Sequence, residues 1–190
     1  GKIKYLYPGT LGLHLRGLWP IWEEVPGIRE WLLQKCPNAD EEWFEVILFA
    51  WMEGEFPSEV IDDLLRRLNQ PEWPSTPFFA HRLATWLQAA RRAGILPRIQ
   101  SLLIELAGGT NRDIVHQAAS YLVLIQPEEA KVWSERAAAV APFFWHLDFT
   151  IEPEDEERLL SAAPEVWARE SLELYRKHGY KLGLQIIHTI

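Results

Sequence analysis

Acid–base or metal chemistry in this chain is best suggested by one short segment in which a histidine and carboxylates lie close together. His146 and Asp148 are two residues apart, and Glu152 follows shortly after them. Imidazole and carboxylate groups transfer protons and bind metal ions, but these side chains need further partners brought in by the fold. The other five histidines are scattered, and no two histidines are four residues apart. The segment therefore suggests a small helical enzyme as one hypothesis, whose alternative is a polar pair in a connection between helices.

The motifs that usually identify an enzyme or a metal protein are missing from the sequence. The glycine-rich start lacks the G-K-[ST] ending of a phosphate-binding loop, and no G-x-S-x-G, S-x-x-K or H-E-x-x-H pattern occurs. Cys36 is the single cysteine, so neither a paired-cysteine zinc site nor an internal disulfide can form. We expect Cys36 to be a packed thiol, and we predict a protein without catalytic residues, cofactor or metal.

A cluster of aromatic residues makes protein binding the leading functional hypothesis. Of the seven residues from 143 to 149, four are aromatic, and the stretch lies between Pro142 and Pro153, where regular helix is interrupted. Connections usually lie at the surface, and exposed Phe and Trp are typical of binding sites. The predicted partner-binding residues are Phe143, Phe144, Trp145, His146, Asp148 and Phe149. The acidic run 152–157 is then a charged rim; in the alternative, the stretch fills the core and the acids begin a helix.

A further alternative is a nucleic-acid accessory subunit, suggested by an arginine-rich stretch. Residues 73–104 contain no Asp or Glu but include Arg82, Arg91, Arg92 and Arg98. Helical geometry argues against a single basic stripe, because it places Arg82 and Arg91 on opposite sides of one helix. The net charge of the whole chain is −8, so nucleic acid is not the favoured partner.

Helices must position these candidate residues. Proline and glycine show where the helices lie, because they divide the sequence into short helical segments. From Pro26 onward, apolar residues recur at helical spacing, and segments end at Gly94 and at Gly108–Gly109. Further prolines mark helix starts at Pro57, Pro77, Pro97, Pro127, Pro153 and Pro164. In the segment that begins at Pro57, Asp63 and Arg67 fall outside the apolar stripe.

Two kinds of side chain in these segments lead to specific structural expectations. Asn38 or Asp40, and later Thr110, are suited to cap the N-termini of helices, because their short polar side chains can accept hydrogen bonds from backbone N–H groups. Trp51 and Trp86 lie on apolar helix faces. We therefore expect both indoles to be buried in the core.

The order of the segments predicts an all-α fold of stacked antiparallel helix pairs. Helix starts near residues 40, 77 and 110 are 37 and 33 residues apart, and each interval holds two helices. One pair cannot bury both of its faces, so neighbouring pairs must stack. Residues 113–122, DIVHQAASYL, resemble the second helix of HEAT-type repeats, with His116 where that family usually has arginine. The resemblance implies an α-solenoid that acts as a scaffold or binding surface.

The domain organisation follows from the same punctuation. Residues 1–25 are predicted to form an irregular N-terminal arm and residues 26–190 one helical-repeat-like domain, and the start at Gly1 is compatible with a fragment of a longer protein.

The longest apolar run, Val46 to Met52, is far shorter than the ~20 residues of a membrane span. A lone cysteine is typical of the reducing cytoplasm. We predict a cytoplasmic, non-enzymatic adaptor or regulatory module that binds another protein.

Overall fold

The structure, a computed structural model, describes residues 24, 25, 27–70, 77–140 and 153–178. Within these residues all regular secondary structure is helical, and no strand occurs, which confirms the predicted all-α class. The chain divides into two compact units, unit 1 (Gly1–Ile95) and unit 2 (Leu96–Ile190). Except for Glu24 and Val25, the predicted N-terminal arm lies outside the described residues. In the part of the chain that is described, no helix combines the length and apolar character that a membrane span requires.

Unit 1 is built from four helices and one 3-10 turn in its described part. They are α1 (Ile28–Lys35), the 3-10 turn Cys36–Asn38, α2 (Glu41–Trp51), α3 (Ser58–Leu68) and α4 (Pro77–Arg92). Helices α2 and α3 both pack against α4, and the 3-10 turn packs against α2 and α3. Because α2 is apolar on most sides, its middle residues Val46, Ile47 and Leu48 are completely buried.

Unit 2 is organised around one central helix. In order along the chain, its elements are the 3-10 turn Leu96–Ile99, α5 (Gln100–Gly108), α6 (Arg112–Ile125), the 3-10 turn Pro127–Glu129, α7 (Ala130–Val140), α8 (Pro153–Ala162) and α9 (Pro164–His178). Helix α6 packs against α5, α7 and α8, and α9 packs against α7 and α8. Every residue of α6 from 115 to 123 is buried, as a helix surrounded by others requires.

Helices α6 and α7 run antiparallel, as the sequence predicts for consecutive segments. Arg112, at the start of α6, donates from Nε to the carbonyl oxygen of Val140 at the end of α7, at 2.6 Å. One turn further into α6, Nδ1 of His116 lies 3.4 Å from the carbonyl oxygen of Ala137. The start of one helix therefore meets the end of the other. The solenoid that the HEAT-like stretch implies stays a prediction.

The helix termini lie where the capping and glycine residues predict them, except for one N-cap. Asp40 caps α2 as predicted, since its Oδ1 accepts a hydrogen bond from the Trp43 N–H at 2.8 Å. Gly94 follows α4 with φ of 69°, a left-handed conformation that glycine adopts without strain. The predicted cap Thr110 is wrong. Asn111 caps α6 instead, because its side chain accepts hydrogen bonds from the backbone N–H groups of Asp113 and Ile114.

Helix α3 buries two charged residues that the sequence analysis placed outside its apolar stripe. Asp63 and Arg67 are both nearly inaccessible, and Arg67 Nε lies 2.8 Å from Asp63 Oδ2. The Arg67 guanidinium also donates to the carbonyl oxygen of Ala39 at 2.7 Å and lies 4.2 Å from the ring centroid of Phe44. Burial of these charges is possible because each one is paired and hydrogen-bonded. Helical spacing allows the pair of Asp63 with Arg67, which are four residues apart, but it does not predict that the pair is buried.

The core of unit 1 contains both tryptophans that the sequence predicts as buried. Trp51 is fully buried and Trp86 is 2% exposed. Trp86 packs edge to face on Phe44, with ring centroids 5.7 Å apart and an interplanar angle of 85°. This arrangement is favourable for aromatic pairs and joins α4 to α2.

We predict that Trp86→Ala lowers the free energy of unfolding by roughly 3–5 kcal/mol, because it leaves a large cavity between α2 and α4. Urea denaturation of the purified variant measures the change. Trp31→Ala is the matched control in the same unit: Trp31 is 41% exposed, so its loss should cost much less. Equal stability losses for the two variants would contradict the packing described for Trp86.

Candidate functional site

The aromatic stretch that the sequence predicts as the partner-binding surface lies outside the described residues. Its six predicted residues are Phe143, Phe144, Trp145, His146, Asp148 and Phe149. The enzyme alternative, which depends on the histidine and the aspartate of this stretch, lies outside them as well. The structure describes the flanking helices, α7 to Val140 and α8 from Pro153. Both hypotheses stay predictions, and the geometry of a candidate site comes from unit 1 instead.

The acidic run after this stretch begins helix α8. Glu154, Asp155 and Glu156 lie in its first turn, where the helix dipole stabilises negative charge. Asp155 is 2% exposed, and burial raises the pKa of Glu156. Among the described residues of the run, only Glu154 and Glu157 are exposed, so the acidic surface is smaller than the sequence suggests.

The first arginine of the basic stretch is part of an internal ion cluster. Arg82 on α4 pairs with Glu41, with Glu42 at 3.8 Å and with Glu45 at 3.7 Å, all on the first two turns of α2. Its side chain is only 11% exposed. A guanidinium that is covered and already neutralised by carboxylates is poorly suited to bind phosphate. The nucleic-acid alternative therefore loses one of the residues on which it depends.

The ion cluster carries an excess of negative charge, since three carboxylates surround one guanidinium. Burial raises the pKa of Glu45 to about 7, Arg82 lowers it, and the negative charges of Glu42 and Glu41 raise it further. Burial dominates because removing a carboxylate from water disfavours its charged form. Near neutral pH the Glu45 carboxyl is therefore partly protonated.

A pair of tryptophans lies at the surface where α1 meets α2. Trp31 and Trp43 pack edge to face, with ring centroids 5.9 Å apart and an interplanar angle of 83°. Trp31 remains 41% exposed, and Trp43 is partly exposed. The Asp40 cap fixes Trp43 in the first turn of α2. We call Trp31 and Trp43 together the tryptophan pair.

The sequence analysis did not anticipate the exposure of Trp31, because it considered burial only for Trp51 and Trp86. A signal existed, because Glu30 precedes Trp31, and Gln34 and Lys35 follow it at the three- and four-residue spacings of one helix face. The buried residue of this helix is Leu32. Trp31 therefore lies on the polar side of α1.

Cys36 is a buried thiol, as the sequence analysis expects. Its Sγ lies 3.8 Å from Asp63 Oδ2, and the side chain is 1% exposed. Burial, followed by the negative charge of Asp63, raises the pKa of the Cys36 thiol to about 12. The nucleophilic thiolate is therefore scarcely populated at neutral pH. Cys36 contributes to packing beside Asp63 rather than to chemistry.

The buried histidine of unit 2 belongs to a polar cluster between helices. The ring of His116 meets that of Trp167 edge to face, with centroids 6.3 Å apart. Trp167 Nε1 donates to Ser134 Oγ at 2.9 Å, and this hydroxyl donates to the carbonyl oxygen of Leu159 at 2.5 Å. The cluster connects α6, α7, α8 and α9, so its polar atoms serve helix packing.

Burial also determines the charge of His116. It lowers the pKa of His116 to about 4, while the hydrogen bond with the Ala137 carbonyl acts in the opposite direction. The imidazole is therefore neutral at physiological pH, and its protonation requires opening of the core. Within the described ranges, no group of three or more His, Cys, Asp or Glu residues is placed to hold a metal ion.

We predict that His116 makes the protein acid-labile. The pKa is about 4 when folded and near 6.5 when unfolded, so stability is present above pH 6.5 and is lost as pH falls towards 4. Between pH 7 and pH 5 the loss is roughly 2 kcal/mol. His116→Gln, which cannot titrate, should remove this part of the pH dependence in urea denaturation. If the variant and the wild type lose equal stability over this range, the prediction fails.

We predict the opposite dependence for Glu45. Its pKa is raised to about 7 from a usual value of 4.5, so the folded state binds a proton that the unfolded state lacks. Protonation therefore adds stability as pH falls from 8 to 5, by roughly 2 kcal/mol. Glu45→Gln should lack this gain relative to the wild type in denaturant unfolding. The control Glu42→Gln, at the exposed edge of the same cluster, should retain it; a gain unchanged in Glu45→Gln would rule out the assignment.

Comparison with models of protein families, with curated proteins and with solved structures found no match to this chain.

Proposed function

We propose that this protein is a non-enzymatic helical module that binds another protein, as an adaptor or a regulatory subunit. The observation that carries the proposal is the tryptophan pair, in which a large indole is 41% exposed at Trp31 while the tryptophans at 51, 86 and 167 are buried. Tryptophan is the residue most enriched at the energetic centres of protein interfaces.

The surroundings of Trp31 support a binding role better than a packing role. Its edge-to-face contact with Trp43 holds the indole in a defined orientation, so little side-chain freedom remains to be lost on association. Leu32, the next residue, already supplies the core contact of α1. A partner that covers the tryptophan pair would remove apolar surface from water at little entropic cost.

Two side chains of types that are common in catalysis support the non-enzymatic part of the proposal. The Cys36 thiol is buried with a pKa raised to about 12, and His116 is buried and neutral. Neither is poised as a nucleophile or as an acid–base group near neutral pH. The aromatic stretch from 143 to 149 remains a second predicted contact region, and it can be tested in the same experiment.

We predict that Trp31→Ala weakens the complex with the partner by about tenfold or more, because it removes an interface anchor. The melting temperature should fall by only about a few degrees, since the indole is exposed in the free protein. The partner is captured from a native lysate with the wild-type protein as bait and identified by mass spectrometry. Its affinity for each purified variant is then measured by calorimetry.

Two further variants make this experiment decisive. Leu172→Ala removes an apolar side chain of similar exposure on α9 and should leave the affinity unchanged. Trp145→Ala reports separately on the predicted aromatic stretch. If Trp31→Ala binds the partner like the wild type, the tryptophan pair is not the interface; if Trp145→Ala also does so, the protein-binding surfaces proposed for this chain are both wrong.

A further inference from the structure

Two carboxylates of the ion cluster compete for one guanidinium. Arg82 donates a hydrogen bond from Nη1 to Glu41, whereas its Nε lies 3.7 Å from Oε1 of Glu45, beyond hydrogen-bond distance. Glu41 and Glu45 are four residues apart on α2, so they lie on the same face of the helix, one turn from each other. A shift of the guanidinium by about 1 Å along this face would exchange one carboxylate for the other.

The two competing carboxylates differ in their surroundings. The Glu41 side chain is 47% exposed, but that of Glu45 is only 14% exposed, and Oε1 of Glu45 is buried without a hydrogen bond from any described residue. A buried carboxyl group that lacks such a partner is costly when it is charged and much less costly when it is protonated. The arrangement described therefore suits a neutral Glu45 and leaves Arg82 to Glu41.

The charged groups around Glu45 determine the pH at which it ionises. Those of the described residues that act on it are Arg82 of α4 and Glu41 and Glu42 of α2 itself. The 3-10 turn Cys36–Asn38 also packs against α2, but it brings no charge, because its thiol stays protonated near neutral pH. Burial, opposed by Arg82 and aided by Glu42 and Glu41, raises the pKa of Glu45 to about 7. The carboxyl group therefore holds its proton below about pH 7 and loses it above.

We propose that Glu45 is a proton-controlled switch for the start of α2. While the Glu45 carboxyl is neutral, Arg82 binds Glu41 and so joins the first turn of α2 to α4. When the proton leaves to solvent, Arg82 turns to the Glu45 carboxylate and releases that turn. The charged Glu45 attracts the guanidinium more strongly than Glu41 does, because it is the less exposed of the two and water screens its charge less.

Packing limits the release to the first turn of α2. Phe44 is completely buried and packs on Trp86, so the helix from Phe44 onward stays in place. Trp43 lies in the released turn and contacts Trp31. The switch does not depend on the proposed function, but one consequence rests on it: binding at the tryptophan pair should weaken as pH rises, since Trp43 is then held less firmly.

NMR of the full chain tests the switch without any partner. The backbone N–H groups of Trp43 and Phe44 report on the first turn, because both donate to Asp40. After correction for intrinsic exchange, we expect their protection from hydrogen exchange to fall about fivefold from about pH 5.5 to about pH 8.5. The Arg82 Nε–H signal should move downfield over the same range, with a midpoint near pH 7, as this group gains a charged acceptor. Constant protection and a constant Arg82 signal would overturn the switch.

Two isosteric variants should fix the two states of the switch. Glu45→Gln carries no charge at any pH, so it should keep the protection and the Arg82 signal of the wild type at low pH throughout. Glu41→Gln removes the competing carboxylate, so its first turn should be poorly protected at every pH. The control Glu42→Gln, whose carboxylate lies 3.8 Å from Arg82, should titrate like the wild type. If Glu45→Gln and Glu41→Gln change protection in the same direction, or if the Arg82 signal still titrates in Glu45→Gln, the exchange of partners is wrong.

Discussion

Short helices impose one constraint on both units: the carbonyl groups in the last turn of a helix have no partner within the helix itself. The described helices have 8 to 16 residues, so these terminal groups are a large share of the backbone. Neighbouring elements supply arginine donors at two helix ends: Arg136 donates to the carbonyls of Ala107 and Gly109, and Arg112 to that of Val140. Arg67 does the same for the carbonyl of Ala39, which follows the 3-10 turn Cys36–Asn38. Because a guanidinium donates in a fixed planar fork, these contacts also limit how far one helix can slide along another.

The buried polar clusters meet the same requirement, that polar groups removed from water need partners. Asp63 must pair with Arg67, and the hydroxyl of Ser134 both accepts from Trp167 and donates to a backbone carbonyl. An unmatched polar atom in the core costs more than the matched pair contributes, so such clusters favour one arrangement of the helices over others. His116 lies within this architecture. The residue types that first suggest catalysis are thus used, where the structure describes them, to hold helices together.

The proposed function depends on what the packing leaves at the surface. The apolar residues of α2 are buried in the core of unit 1, and the acidic residues in the first turns of α2 surround Arg82. Trp43 is directed towards α1 and meets Trp31 there. The same helix therefore joins a core face, an ion cluster and an aromatic surface. Changes in one of these three regions are expected to affect the others through the orientation of α2.

The sequence by itself determined the helical class, most helix boundaries and the burial of Trp51 and Trp86, because these depend on local punctuation and on periodicity along one helix. It did not determine which polar residues are buried or which tryptophan is exposed. The enclosure of Arg82 by α2 joins residues of neighbouring helices, and only tertiary packing decides such neighbours. Asp63 and Arg67 are four residues apart on α3, but the contacts of Arg67 with Ala39 and Phe44 are made with residues outside that helix. Trp31 shows both sides of this division: its polar flanks are local, but its exposure depends on how α1 meets α2, which a single helix cannot specify.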